Sequence, residues 1–109
     1  MGPYSWKEDN VTATIQRSTT ESPGRDDVEA RFGEENLNPH TWGNGPHYEY
    51  ERHSHSYHKV LYCVSGSIVF HTDEGDFDLQ PGDRLDVEAG TEHSATVGPD
   101  GVRCMEAAR

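Results

Sequence analysis

From Tyr48 onward, hydrophobic and polar residues alternate in short segments separated by glycine, proline and aspartate. Alternation with a period of two is typical of β-strands that bury one face. The pattern predicts strands at residues 48–55, 59–64, 67–72, 77–79, 84–87, 93–97 and 102–107. Short strands that recur at this spacing between turn residues are typical of a β-sandwich or barrel, and no segment of this region has a helical period. We therefore expect an all-β fold.

The preceding part of the chain has a less regular pattern. Residues 11–15 alternate and predict an edge strand. Further on, a short helix is predicted with Ser22 as its N-cap and Gly33 as its stop, because proline and acidic residues follow the serine. Val28 and Phe32 lie four residues apart, so they would share a helix face and pack it on the barrel.

Trp42 lies between two segments that read as turns, residues 38–39 and 43–46. We expect an irregular N-terminal arm at residues 1–47, with its edge strand and helix packed on the barrel. The core barrel would occupy residues 48–109. The two parts would form one domain.

The chain has 109 residues, of which 31% are hydrophobic. This is enough for one domain with a modest core, so burial of surface against a second copy would stabilise it. We therefore expect a homodimer. Residues 11–15 are the segment that we expect to be exchanged or paired between copies.

The formal net charge is −11. A surface of this sign repels nucleic-acid phosphates and anionic membranes, so we expect neither as a partner. No apolar run approaches the roughly 18 residues of a membrane span, and no signal peptide is visible. Cys63 and Cys104 lie in predicted strands, and we expect buried, reduced thiols in a cytoplasmic protein. A disulfide is the alternative if the two strands are neighbours.

His53 and His55 are the residues with the clearest chemistry. At positions i and i+2 of a strand they would point to the same face, with Cα atoms roughly 6.5–7 Å apart. Two imidazoles at that separation can bind one small cation, and a third from a neighbouring strand would complete the set while leaving positions open. His93, after a turn segment, is the candidate for the third. The other histidines, His40, His47, His58 and His71, are expected at the surface, in hydrogen bonds or on the opposite face.

These residues occur in a pattern that resembles the two signature motifs of the cupin superfamily. The resemblance spans residues 48–107 and rests on His53-x-His55, Lys59 and Gly66, then on Pro81-Gly82-Asp83, Gly90 and His93. It implies a small jelly-roll barrel in which His53, His55 and His93 bind a divalent transition metal, Mn, Fe, Ni or Zn.

Lys59 departs from the cupin pattern, which has glutamate at this position. Three interpretations stay open. The side chain swings out of the site, leaves a three-histidine metal centre and is neutralised by a carboxylate such as Glu51. Alternatively, it stays in the pocket, abolishes metal binding and leaves the histidines to bind a polar or anionic ligand. In the third, burial lowers its pKa and makes it a base or a Schiff-base nucleophile.

Alternation places small apolar side chains on the inward face beyond the histidines: Leu61, Cys63, Ala95 and Val97. Such walls suit a small organic ligand with one polar edge. Two functions follow. The first is a metal-dependent enzyme, for which the resemblance implies dioxygenation, isomerisation or decarboxylation, with Lys59 and Glu51 as candidate catalytic residues. The second is a non-catalytic ligand-binding module or sensor that has lost its metal.

Overall fold

The computed structural model describes residues 12–19 and 23–109, and these form seven strands and one helix. In chain order the elements are β1 (Ala13–Gln16), α1 (Arg25–Glu34), β2 (His40–Asn44), β3 (Glu49–His53), β4 (Lys59–Thr72), β5 (Gly75–Leu79), β6 (Arg84–Val87) and β7 (His93–Ala108). All pairings are antiparallel. The strand order is β1-β6-β4-β7-β2, with β3 also paired to β7 and β5 to β4. The all-β prediction is confirmed.

Strands β4 and β7 form the long central ladder of the sheet. Each was predicted as two strands with a turn between them, at Gly66 and at residues 98–101, and both turn predictions are wrong. The β4–β7 register shifts between Cys63 and Ser65 and again between Gly66 and Ile68, so the glycine lies in a bulge and the strand continues. Gly66 has a φ of 74°, and a Cβ there would collide with the carbonyl oxygen of Gly101. Only glycine fits this crossing of the two strands.

Strand β2 was not predicted, because its end lies in the segment Gly43-Asn44-Gly45-Pro46, which reads as a turn. It pairs with β7 through five register positions, from His40 opposite Glu106 to Asn44 opposite Val102. Gly43 suits this pairing, because a Cβ at that position would press against the backbone of β7. As a result Trp42 lies in the sheet, opposite Cys104.

The predicted edge strand is confirmed over the part that the structure describes. Strand β1 begins at Ala13, lies at one end of the strand order and pairs with β6 of the same chain. Residue Val11 lies outside the described residues. Exchange of this segment between copies stays a prediction.

The helix α1 lies close to its predicted position, but its ends differ. Gly24 is the N-cap, and the predicted cap, Ser22, lies outside the described residues. Gly33 is within the last turn of α1 and does not stop it. Asn36 takes the positive φ with which the chain leaves the helix, and its N–H donates to the Gly33 carbonyl.

Two hydrophobic clusters stabilise the fold, one inside the barrel and one beneath α1. The predicted inward residues are all buried in the first cluster: Leu61, Cys63, Ala95 and Val97. In the second, Val28 and Phe32 are buried as predicted against β4 and β7. The Phe32 ring meets the edge of Tyr62 at a centroid distance of 5.2 Å. The helix thus covers the outer face of the sheet and leaves the barrel interior for the site.

No helix in the described part of the chain is long and apolar enough to cross a membrane.

Candidate metal centre

The sheet brings the three predicted histidines together at the junction of β3 and β7. His53 ends β3 and lies in register with His93, the first residue of β7. His55 lies beyond the end of β3, so the expectation that both motif histidines belong to one regular strand is wrong. Its segment is held instead by the Gly90 N–H, which donates to the His55 carbonyl at 2.7 Å. The turn that contains Gly90 also precedes His93, so it connects the two halves of the site.

The three imidazole rings form a compact group. Ring centroids are 4.8 Å apart for His53 and His55, 4.4 Å for His53 and His93, and 5.3 Å for His55 and His93. One ring nitrogen from each lies within 4.8 Å of the other two. Two nitrogens that share one cation at about 2.1 Å each are at most about 4.2 Å apart. A small rotation of the rings therefore suffices for a shared ion.

Backbone hydrogen bonds fix the tautomers of two of these rings. The Nδ1 atom of His93 lies 3.0 Å from the Thr91 carbonyl, and that of His53 lies 2.7 Å from the Glu51 carbonyl. Because a carbonyl oxygen only accepts, both Nδ1 atoms carry the proton and both Nε2 atoms present a lone pair. This second contact through Nδ1 is typical of metal-binding histidines.

The site also leaves buried nitrogens without partners. The Nε2 atoms of His55 and His93 are buried and make no hydrogen bond to any described residue. Buried polar atoms are rarely left in this state. Burial lowers the pKa of His93 to about 4, with smaller contributions from the Lys59 cation and the neighbouring rings. The pKa of His55 is lowered mainly by burial and then by Lys59. Both rings are therefore neutral near pH 7, the form that binds a metal, and the donor set fits a divalent transition ion.

A cavity of about 120 Å³ opens beside His53. Its walls come from four strands and are more aromatic than predicted: Trp42, Tyr50, His53, Lys59, Phe70, Ala95 and Glu106. Among the four predicted wall residues, only Ala95 lines it, because the others pack in the hydrophobic cluster deeper in the barrel. The cavity is smaller than the roughly 300–1,000 Å³ of typical ligand pockets, so it suits only a small molecule.

Lys59 remains inside the barrel, so the expected swing of its side chain out of the site is wrong, whereas the three-histidine group and a neutralising carboxylate, both parts of the same interpretation, are present. Only 6% of the residue is exposed, and its Nζ atom lies 3.2 Å from Oε1 of Glu106. The ammonium also faces the Phe70 ring at 5.8 Å from its centroid. The Nζ atom is thus held against a carboxylate, which argues against a free Schiff-base nucleophile.

The neutralising carboxylate is Glu106, and the proposal of Glu51 for this role is wrong. Glu51 is exposed, and its carboxylate contacts no charged group within the described residues. A register shift between Tyr50 and His53 breaks the regular alternation on which that proposal relied. Glu106 lies opposite Leu61 on the β4–β7 ladder, one diagonal step from Lys59.

Trp42 helps to hold Glu106 in place. Its indole Nε1 donates to Oε1 of Glu106 at 2.7 Å, and His40 Nε2 lies 3.8 Å from the other carboxylate oxygen. Sequence reasoning missed both Glu106 and Trp42. One signal was available: Glu106 is the single carboxylate in the last predicted strand, residues 102–107. When that strand is paired antiparallel with β4, the carboxylate lies beside Lys59.

The remaining histidines lie outside the three-histidine group. His71 contacts Asp76 and Thr96 at 2.9 and 3.0 Å, as expected for a hydrogen-bonding residue. His58 pairs with Asp86 at 2.9 Å on the other face of β4, next to the helix.

Cys63 and Cys104 lie directly opposite each other on β4 and β7. Both are buried free thiols, as predicted. The pKa of Cys104 is raised far above its ordinary value by its hydrogen bond with Cys63 and by burial. The Cys104 thiol is therefore protonated, and both cysteines are packed core residues.

Comparison with known families adds an independent finding. Residues 35–105, more than half of the chain, match the family model described as a cupin domain. No curated protein matches the sequence.

Several solved structures share the fold. A chain from the crystal structures of the DMSP lyases RdDddP and RnDddQII is 27% identical with a TM-score of 0.63, over 67% of this chain and 38% of that one. An RmlC-like cupin from Shewanella frigidimarina is 24% identical with a TM-score of 0.59, over 66% of this chain and 64% of that one. A DUF861 family protein from Thermotoga maritima is 15% identical with a TM-score of 0.59, over 89% and 99% of the two chains. The chain thus spans less than two thirds of the first two structures.

Proposed function

The chain belongs to the cupin-domain family, and on that premise we propose that His53, His55 and His93 bind one divalent transition metal, Mn, Fe, Ni or Zn. The observation that carries this proposal is the pair of buried Nε2 atoms without partners, on rings whose neutral form is favoured. Nitrogen ligands in an open three-residue set suit these metals.

We further propose that the cavity beside the histidines binds a small polar organic molecule. When bound, the metal would act as a Lewis acid on an oxygen of that molecule. The chain's own residues would do the rest: Tyr50 and Phe70 would exclude water, and Lys59 would present a fixed positive charge. The likeness to DMSP lyases supports an enzymatic role without identifying the substrate. Dioxygenation, isomerisation and decarboxylation are the other reaction classes in view.

A non-catalytic ligand-binding role is the second candidate, and one observation favours it. Glu106 is the single carboxylate among the residues that line the cavity, and it is engaged by Lys59 and Trp42. A carboxylate held in this way is a poor general base, because protonation would break both contacts. Turnover of a bound small molecule by the metal-loaded protein would show that it is an enzyme. Binding without turnover would favour the non-catalytic ligand-binding role.

Elemental analysis tests the metal proposal. Protein purified without chelators should hold close to one equivalent of a transition metal, and His93→Ala and His53→Ala should each lose it. His71→Ala is the matched control, because that histidine is bonded to Asp76 and Thr96 and should leave the metal content unchanged. Metal-free wild-type protein that still takes up no added ion would contradict the proposal.

The homodimer and the cytoplasmic location stay predictions. Light scattering on the purified chain measures the first of these directly, and a mass of one chain would contradict it.

A further inference from the structure

The buried ammonium of Lys59 has more donors than the protein satisfies. An ammonium carries three N–H donors. Among the described residues, the one acceptor within ion-pair distance of Nζ is Oε1 of Glu106, and this oxygen also accepts from Trp42. The Phe70 ring faces the same ammonium and offers no hydrogen-bond acceptor in its plane. Because Lys59 lines the cavity, an acceptor in the cavity can take the remaining donors.

The charges around the cavity favour an anion. Glu106 and Lys59 cancel each other, and the three histidines are neutral ligands. A divalent ion on those histidines would therefore leave two uncompensated positive charges beside a largely buried cavity. An anionic ligand reduces this excess, whereas a neutral one leaves it unchanged.

The volume limits the ligand's size. The cavity of about 120 Å³ is well below the roughly 300–1,000 Å³ of typical ligand pockets. Acetate and glycolate fit in such a space, whereas a nucleotide is too large.

From these observations we propose that Lys59 is a carboxylate-binding residue and that the ligand class is a small aliphatic monocarboxylate. The inference rests on the site of the proposed function and adds its substrate class. Lys59 takes one carboxylate oxygen, and the Tyr50 and Phe70 rings contact the short carbon chain. Replacement of the family's glutamate by lysine thus changes this position from a metal ligand into an anchor for the bound molecule.

Binding of a carboxylate in the cavity can be followed through the indole N–H of Trp42, because this N–H donates to Glu106 in the cavity wall. Its resonance can be followed by ¹H–¹⁵N NMR during titration with acetate or glycolate, and a Trp42→Phe spectrum assigns it. We expect a saturable shift with glycolate, and at least about tenfold weaker binding of glycolamide, which has the same shape without the charge.

Two variants test the role of Lys59. In Lys59→Met/Glu106→Gln the buried charges are removed together, and glycolate affinity should fall by at least about tenfold. In Lys59→Arg the charge is kept, and the preference for glycolate over glycolamide should persist. Arg52→Met removes an exposed cation outside the cavity and should leave glycolate binding unchanged.

The outcomes separate this inference from the metal proposal. Three results would each overturn the inference while the metal centre stands. They are equal affinities for glycolate and glycolamide, full glycolate affinity in the double variant, and a metal-loaded protein that binds neither acetate nor glycolate. A metal-free protein that binds glycolate through Lys59 would support the inference, while elemental analysis judges the metal centre separately.

Discussion

Removal of either partner of the Lys59–Glu106 pair should destabilise the barrel much more than removal of both. Glu106→Gln removes the carboxylate charge but keeps an oxygen that can accept from the Trp42 indole. Lys59→Met keeps most of the aliphatic stem and removes the ammonium. Each single variant leaves one buried charge without its partner, whereas the double variant leaves none.

The distance and burial of the pair give the magnitude. Two unit charges 3.2 Å apart attract by about 5 kcal/mol at an effective dielectric constant of about 20. Part of this attraction offsets the cost of removing both groups from water, and loss of one partner from a buried pair typically costs about 3–5 kcal/mol. We expect each single variant to lose about 3 kcal/mol of unfolding free energy and the double variant about 1 kcal/mol. The coupling energy would then be about 5 kcal/mol, which exceeds the usual range for neighbouring residues.

Urea unfolding of the four proteins at neutral pH measures this coupling. The exposed pair of Arg52 and Asp73, whose atoms lie 3.0 Å apart, is the matched control, because the separation is similar and the burial is not. Arg52→Met and Asp73→Asn should show little or no coupling. Additive losses at Lys59 and Glu106, or equal coupling in the two pairs, would refute the argument that burial makes the Lys59–Glu106 interaction strong.

Other properties of the barrel can be tested in the same way. Gly66→Ala should lose more than about 2 kcal/mol of unfolding free energy, because the new Cβ meets backbone atoms. Gly75→Ala has open space around its Cβ and should lose about 1 kcal/mol, from backbone strain alone. Equal losses of the two variants in urea unfolding would contradict this. Metal-free protein should lose about 3 kcal/mol of stability through His93 as the pH falls from about 6.5 towards 4. The reason is that the pKa of His93 is lowered to about 4 in the folded protein, so the unfolded chain binds the proton first. Parallel curves of stability against pH for wild type and His93→Gln would contradict this. Cys63 and Cys104 should react with a thiol reagent only as fast as the protein unfolds, because both are buried. Rapid reaction of the native protein would show that they are accessible, and a lack of free thiols after denaturation would show that they are oxidised.

Features that depend on local alternation could be predicted from the sequence. Leu61 and Ala95 are buried because every second residue of a strand faces the interior, and this requires no knowledge of the partner strand. For the same reason Val28 and Phe32 could be assigned to one buried face of the helix. The expected edge strand was also visible as a short alternating segment.

Glycine was the main source of error. Gly66 and the glycines near residue 100 resemble turn signals, yet both lie inside long strands. The reason is that a bulge needs the same backbone freedom as a turn, and the partner strand decides which one forms. The same ambiguity concealed β2, where glycine allows close approach to β7.

The candidate site was predicted in part. The motif spacing brought out His53, His55 and His93, and the structure groups their rings. Glu106 could not be connected with Lys59, because their contact depends on the register of two strands far apart in the chain. Long-range register is set by tertiary packing, which no local pattern encodes.

The most direct test of the central claim is a crystal structure of the protein grown with zinc, with anomalous diffraction recorded at the zinc edge. We expect a single strong peak at about 2.0–2.1 Å from Nε2 of His53, His55 and His93, because Nδ1 of His53 and His93 is engaged by backbone carbonyls. Anomalous density confined to surface carboxylates, with the three Nε2 atoms free of metal, would contradict the account.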